Sequence, residues 1–199
     1  RWRLRPEPIA PDATRVYYQF SGLDYLYNAT RPFLRDGPAH AVGAEQSFAF
    51  RPLPDAARNG EATVGYRYEV FATDGTEFDH IARSFYVGLG VPVLNPRAPH
   101  QYLILPDKEL MFRFHATWEV DNYRHPSLFD RYRRNRHDNL RTYGFAVSQR
   151  LLEHPTYGDL TLHGLVHWTD ADSNVTPSDG VYPFTYDKVV YGLQLEWTW

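Results

Sequence analysis

The last twelve residues, Lys188 to Trp199, alternate without a break. Val189, Tyr191, Leu193, Leu195, Trp197 and Trp199 form one row, while Lys188, Val190, Gly192, Gln194, Glu196 and Thr198 form the other. A repeat of two predicts a β-strand, because successive Cβ atoms point to opposite faces. Soluble domains usually fray into polar residues at a terminus, whereas this chain carries bulky aromatics to its last position. A strand that is apolar on one face, polar on the other and closed by Trp suits the final strand of a membrane-spanning barrel.

Composition limits the alternatives. At 199 residues there is room for one domain, or for part of a larger barrel. A net charge of -3 gives no global attraction to nucleic acid. Cysteine is absent, which removes disulfides, thiolate nucleophiles and Cys-ligated zinc. No apolar run approaches the ~18 residues of a transmembrane helix. The mean hydropathy of -0.54 looks soluble, yet a spanning barrel hides its apolar residues at every second position, so the mean does not decide. With no initiator Met or signal peptide, the chain reads as processed or as a fragment.

The same period recurs along the chain. Strands are predicted at about 15–28, 40–51, 62–72, 79–91, 110–121, 140–151, 159–169 and 188–199, preceded by a truncated one holding Trp2 and Leu4. A shift of phase beyond Gly22 suggests a bulge in the first. Thr73-Asp74-Gly75-Thr76 is a hairpin signal, and Asn122 to Asn139 reads as a long Arg-rich loop. Simple succession implies an antiparallel meander, all-β, residues 1–199 forming one barrel domain or the C-terminal part of one. Long loops after the first, fifth and seventh strands against shorter ones after the second and sixth match outer-membrane barrels. The connections after the third and fourth break that pattern.

Alternation alone leaves the environment of each face open. In a soluble barrel the apolar row points inward; in a membrane barrel it meets lipid and the polar row is enclosed. Aromatics favour the second arrangement: Trp118, Tyr143, Trp168, Trp197 and Trp199 are expected near strand ends, where interfacial girdles form. An eight-stranded interior would also be overpacked by this many rings.

The runs Asn139-Leu140-Arg141-Thr142-Tyr143-Gly144-Phe145, Gly158-Asp159-Leu160-Thr161-Leu162, Asp172-Ser173-Asn174 and Tyr186-Asp187-Lys188-Val189-Val190 resemble the last hairpins of certain bacterial outer-membrane barrels. Those barrels follow tetratricopeptide repeats, and some serve exopolysaccharide secretion; barrels of surface-lipoprotein assembly modifiers end similarly. The likeness covers roughly the last 90 residues, on the rule that a short motif counts only in its structural context. The chain departs from the pattern in lacking a repeat domain and in the stretch Thr176 to Phe184. The resemblance implies an outer-membrane location. Lipid and lipopolysaccharide become expected partners, as does the barrel-assembly machinery, which would read Tyr191, Leu193, Leu195, Trp197 and Trp199 as an insertion signal.

Under that reading Arg67, Glu69, Arg113, His115, Glu119, Arg150, His163, His167, Lys188 and Glu196 line the lumen. They would pair across a narrow interior or bias the solutes entering a wide one. His163 and His167 share a face but sit about 13 Å apart at the strand rise, too far for one metal ion, and no metal or other cofactor is expected. Arg124, Arg131, Arg133, Arg134 and Arg136, with Arg141, form a loop suited to phosphate or carboxylate, unless they are merely solvated. Asp170-Ala171-Asp172-Ser173-Asn174 starts like a calcium loop, but Val175 and Val181 stand where Gly and an acid are needed. Ser148 with His163 or His167, or Ser84 with His80, are the nearest approaches to a hydrolase pair, without an evident third group.

The expectation is therefore a non-enzymatic outer-membrane barrel that forms, or contributes to, an export or diffusion channel for a cargo such as polysaccharide. The alternatives are a plugged barrel acting on surface lipoproteins or glycans through its loops, and an outer-membrane lipid hydrolase.

Overall fold

The computed structural model describes residues 9–24, 33, 35–50, 60–93, 110–154 and 156–198. Among them are eight strands and no helix: β1 (Ile9–Leu23), β2 (Gly37–Phe50), β3 (Gly60–Phe71), β4 (His80–Val93), β5 (Leu110–Pro126), β6 (Asn135–His154), β7 (Gly158–Ser173) and β8 (Tyr186–Thr198). They form one antiparallel sheet in sequence order. Ladders join each strand to the next, and none joins β1 to β8 among the described residues. Trp2, Leu4 and Trp199 lie outside the described residues.

Several boundaries differ from the sequence expectation. β1 begins at Ile9, inside the Pro-rich stretch read as a turn. Its irregularity falls between Pro11 and Ala13, and the register then runs unbroken to Leu23, so no bulge accompanies Gly22. Proline lacks the ladder N–H, and an edge strand tolerates that loss. The larger correction concerns β5 and β6. They extend to Pro126 and from Asn135, which reduces the supposed Arg-rich loop to residues 127–134. The extension gives no periodic signal because it carries polar side chains on both faces, and a run without apolar alternation looks like loop.

Ladder register carries side-chain parity from strand to strand, so the sheet has one apolar and one polar face. Phe85, Trp118, Tyr143, Trp168 and Val189 belong to the apolar face, as do Phe114, Phe145, Val166 and Tyr191. A belt of rings crosses it: Phe85 stacks on Trp118 at 5.9 Å, Trp118 meets Tyr143 edge-on at 6.2 Å, and Tyr143 stacks on Trp168 at 5.5 Å. These pairs prefer offset and edge-to-face geometry because of the ring quadrupole. The belt lies mid-strand rather than at the strand ends. Beyond it the same face turns polar, with Arg141 paired to Asp170 at 3.3 Å and His137 bonded to Asn122 at 2.8 Å.

On the inner strands the bulky side chains of the apolar face remain part exposed, with Tyr66 47 %, Phe85 46 %, Phe114 42 % and Trp118 37 % exposed. On the polar face Ala39 and Ala41 are 2 % exposed and Ala82 5 %. The polar face is also where strands two apart touch. Tyr86 of β4 donates its hydroxyl to Glu45 of β2, and the rings of His115 (β5) and His167 (β7) lie 4.8 Å apart. Ring contacts between strands on the apolar face join adjacent strands only. Small residues at Gly43, Gly65, Ala82, Ser84 and Gly144 give these long side chains room and let the sheet bend toward that face.

Candidate functional site

The sequence-predicted lumen residues all fall on the polar face. Arg67 opposes Ser84, which opposes Glu119; Glu69 opposes Ala82; His115 opposes Gly144, which opposes His167. Arg113, Arg150, His163, Lys188 and Glu196 follow in the same parity. Most are committed to local partners. Arg67 pairs with Glu69 at 2.7 Å, Arg150 with Asp159 at 3.7 Å and His163 with Glu196 at 2.9 Å. Arg113 donates to the Ser148 hydroxyl at 3.4 Å. These are neighbours along a strand or across one ladder, so the charges of Arg67 with Glu69 and of Arg150 with Asp159 are balanced locally on the polar face. Lys188 is exposed on the edge strand.

Ser148 stands directly opposite His163, and Glu196 supplies the His163 ring with the third group that sequence reading had not found. The Ser148 hydroxyl, however, is held by Arg113, and no hydrogen bond joins it to His163. A nucleophile is activated by a base within hydrogen-bond reach, and here that link is not made.

The loop arginines separate into two groups. Arg134 forks onto Asp130 through Nε and Nη2, each 3.0 Å away, and also reaches the Asn174 carbonyl at 2.8 Å. Arg136 pairs with Asp138 and is sandwiched between Phe184, 3.5 Å from the ring centre, and Tyr123, 4.0 Å away. Arg124 pairs with Asp79 at 3.4 Å. Three of the five predicted anion-binding residues thus hold the fold together; Arg131 and Arg133 remain exposed beside Tyr132. Arg133 has φ of 55°, a left-handed conformation that costs a non-glycine residue free energy. Its amide is tied to the Asp130 carbonyl at 3.0 Å.

These contacts knit the connections 72–79, 127–134 and 174–185 into a cap at one end of the sheet. Buried Glu77 accepts from the Ser127 hydroxyl and from the Leu128 amide at 3.0 Å. Asp130, 2 % exposed, accepts from the Arg134 and Thr176 amides at 2.8 Å each as well as from the guanidinium. Four donors on one carboxylate, the Arg134 side chain foremost, hold its pKa well below the usual carboxylate range. The Asn174 side chain bridges β6 by donating to the Asn135 carbonyl at 3.0 Å and accepting from the His137 amide at 2.8 Å. The contacts from Glu77 to Ser127 and Leu128 and from Thr176 to Asp130 are not readable from sequence, because their partners lie in different connections.

At the opposite end the β6–β7 turn is tight, and the Trp197 indole donates to the Tyr157 carbonyl at 2.6 Å. The connections 51–59 and 94–109 lie outside the described residues. Asp170 to Ser173, read as the start of a calcium loop, belong to strand β7, which sends successive side chains to opposite faces. Among the described residues no group of three or more acidic or histidine side chains converges on a metal position. No helix there is long and apolar enough to cross a membrane, which says nothing of a β-barrel. No protein family, curated protein or solved structure matches the chain.

Proposed function

We propose that this chain forms part of a transmembrane β-barrel of the bacterial outer membrane, with its polar face lining an export or diffusion passage. One observation carries the reading: the bulky apolar row of all eight strands lies on a single face, exposed instead of packed at a centre. Monomeric soluble proteins rarely expose contiguous apolar patches beyond a few hundred Å². Lipid tails are the environment that makes such a face favourable. Leu160 to Trp168 spans eight residue steps, about 27 Å of strand at ~3.4 Å per step; tilted, that matches the roughly 25 Å apolar band of outer-membrane barrels. A groove of about 550 Å³ over Gly164, flanked by Phe145, Val166, Tyr191 and Leu193, would seat an acyl chain.

In hydrocarbon the edges of β1 and β8 must be paired, since unsatisfied backbone groups there cost several kcal/mol each. The reading therefore includes further strands, from a longer chain or another subunit, between those edges. Polysaccharide is the proposed cargo, on the resemblance of the last hairpins to secretion barrels. Conductance of the purified protein in planar bilayers tests the passage, and a full-length barrel that carries no ions would remove it.

The cap favours a second reading, a barrel that does not conduct and acts through its loops on surface glycans or lipoproteins. Phe184, from the β7–β8 connection, packs on Arg136, which sits on the polar face at the mouth. Conductance that appears only in Phe184→Ala would support a plugged state; equal conductance in both proteins would discard it.

A further inference from the structure

The described histidines divide sharply by commitment. His40 bonds Tyr18, His80 the Phe78 carbonyl, His125 Asp79, His137 Asn122, His154 the Thr156 amide and His163 Glu196. His115 and His167 make no hydrogen bond to another described residue. They meet each other instead, ring centroids 4.8 Å apart. Their backbones sit on β5 and β7, two ladders apart and so about 9.6 Å from one another.

The residue between them makes the meeting possible. Gly144 of β6 stands directly opposite both. A Cβ at 144 would lie 1.9 Å from Cε1 of His115 and 2.3 Å from its Nε2, so the ring occupies the volume any other side chain would fill. Two imidazoles are thereby held side by side over bare backbone, their planes tilted by 53°, with nitrogen lone pairs that no other described residue engages. Partial exposure of both leaves the pair open to the polar face. A depression of about 220 Å³ lined by Glu61, Thr63, Gly88, Gly90 and Arg113 leads up to His115.

We propose that His115 and His167 form a two-histidine site for a borderline divalent transition-metal ion, with Zn²⁺ or Cu²⁺ the best fits. Neutral imidazole is the protein ligand such ions favour, while hard cations prefer oxygen. Tetrahedral zinc with bonds of ~2.0–2.1 Å needs ligand nitrogens about 3.3 Å apart, a separation that rings 4.8 Å apart reach by small rotations. Among the described residues no third histidine or carboxylate joins the two in one group that could hold the ion. Water, or an oxygen of a solute passing along the polar face, completes the coordination. The site is thus an exchangeable one on the wall, distinct from a closed structural centre. It does not depend on what the apolar face meets, so an absence of conductance leaves it standing.

The test is titration of the full chain, purified in detergent micelles without a polyhistidine tag, with Zn²⁺ by calorimetry and with Cu²⁺ by electron paramagnetic resonance. Wild type takes up one equivalent saturably, and the Cu²⁺ spectrum shows two equivalent nitrogens. His115→Ala and His167→Ala each weaken binding by at least the roughly 10–100-fold seen when only a supporting outer-shell group is lost. His125→Ala binds as wild type. Should His115→Ala lose its β-sheet circular dichroism, His115→Gln, which keeps a planar side chain over Gly144, replaces it. A double variant that retains its sheet and titrates like wild type overturns the proposal and leaves adventitious binding only.

Discussion

The two faces of this sheet carry the same backbone and obey opposite rules. On the apolar face side chains are large, exposed and in contact only with the adjacent strand, as in the belt from Phe85 to Trp168. On the polar face they are small or long, and two of the long ones lean across glycines to meet partners two strands away: Tyr86 passes over Gly65 and His115 over Gly144. Curvature explains the difference. Bending opens space on the convex side and removes it on the concave side, so bulk is tolerated on one face and glycine is needed on the other. The comparison teaches that an exposed apolar row here is a property of one whole face.

The sharpest way to break that contrast is a charge at the middle of the apolar band. Leu193 stands opposite Gly164, halfway between Leu160 and Trp168. If the face meets lipid, Leu193→Arg costs about 2–4 kcal/mol of folding free energy in bilayers, read from urea titrations of the reconstituted protein. If it meets water, the same change at a site 82 % exposed is close to neutral.

The cap provides the next largest effect. Asp130→Ala removes a buried carboxylate from four donors and loosens the 127–134 loop by about 1.5–3 kcal/mol, the range for hydrogen bonds to a charged group. Hydrogen exchange at the Arg134 and Thr176 amides reports it, with little change in the strands below. The same carboxylate sets a pH dependence. Its folded pKa is depressed, so its contribution is complete above the unfolded value of about 3.9 and declines as pH falls from there through the folded pKa. Pepsin cleavage within 127–134 should rise on acidification below about pH 4 in the wild type. In Asp130→Asn it should already be high at that pH and vary little below it.

A pair of alanines gives the smallest effect and sharpens the contrast between faces. Gly144→Ala pushes the His115 ring aside and costs on the order of 1 kcal/mol, at the low end for overpacking because a side chain, not backbone, must give way. Gly192→Ala, on the polar row of edge strand β8, meets nothing within 4 Å. It should stabilise slightly, by roughly 0.5 kcal/mol, through reduced freedom of the unfolded chain. Thermal unfolding of both variants separates a crowded site from an open edge; equal shifts would show that Gly144 is not what admits the ring.

Alternation of residues was enough to predict the sheet, its meander order and which residues share a face. That is because β-parity is strictly local and antiparallel ladders transmit it unchanged from Arg67 to Glu196. Strand length was harder to read. Asn122 to Pro126 and Asn135 to Asn139 project past the apolar band, so neither row there is hydrophobic and the periodic signal disappears.

The roles of individual arginines and histidines depended on the tertiary structure. Arg131 and Arg136 look alike in sequence, yet one is exposed and the other is buried between Phe184 of the β7–β8 connection and Tyr123 of β5. His163 and His167, neighbours on one strand, have different partners: Glu196 from β8 for the first and His115 from β5 for the second. The physical reason is common to both cases. Local pattern dictates which way a side chain points, while what it touches there is supplied by residues distant in sequence that only sheet register and loop packing bring together.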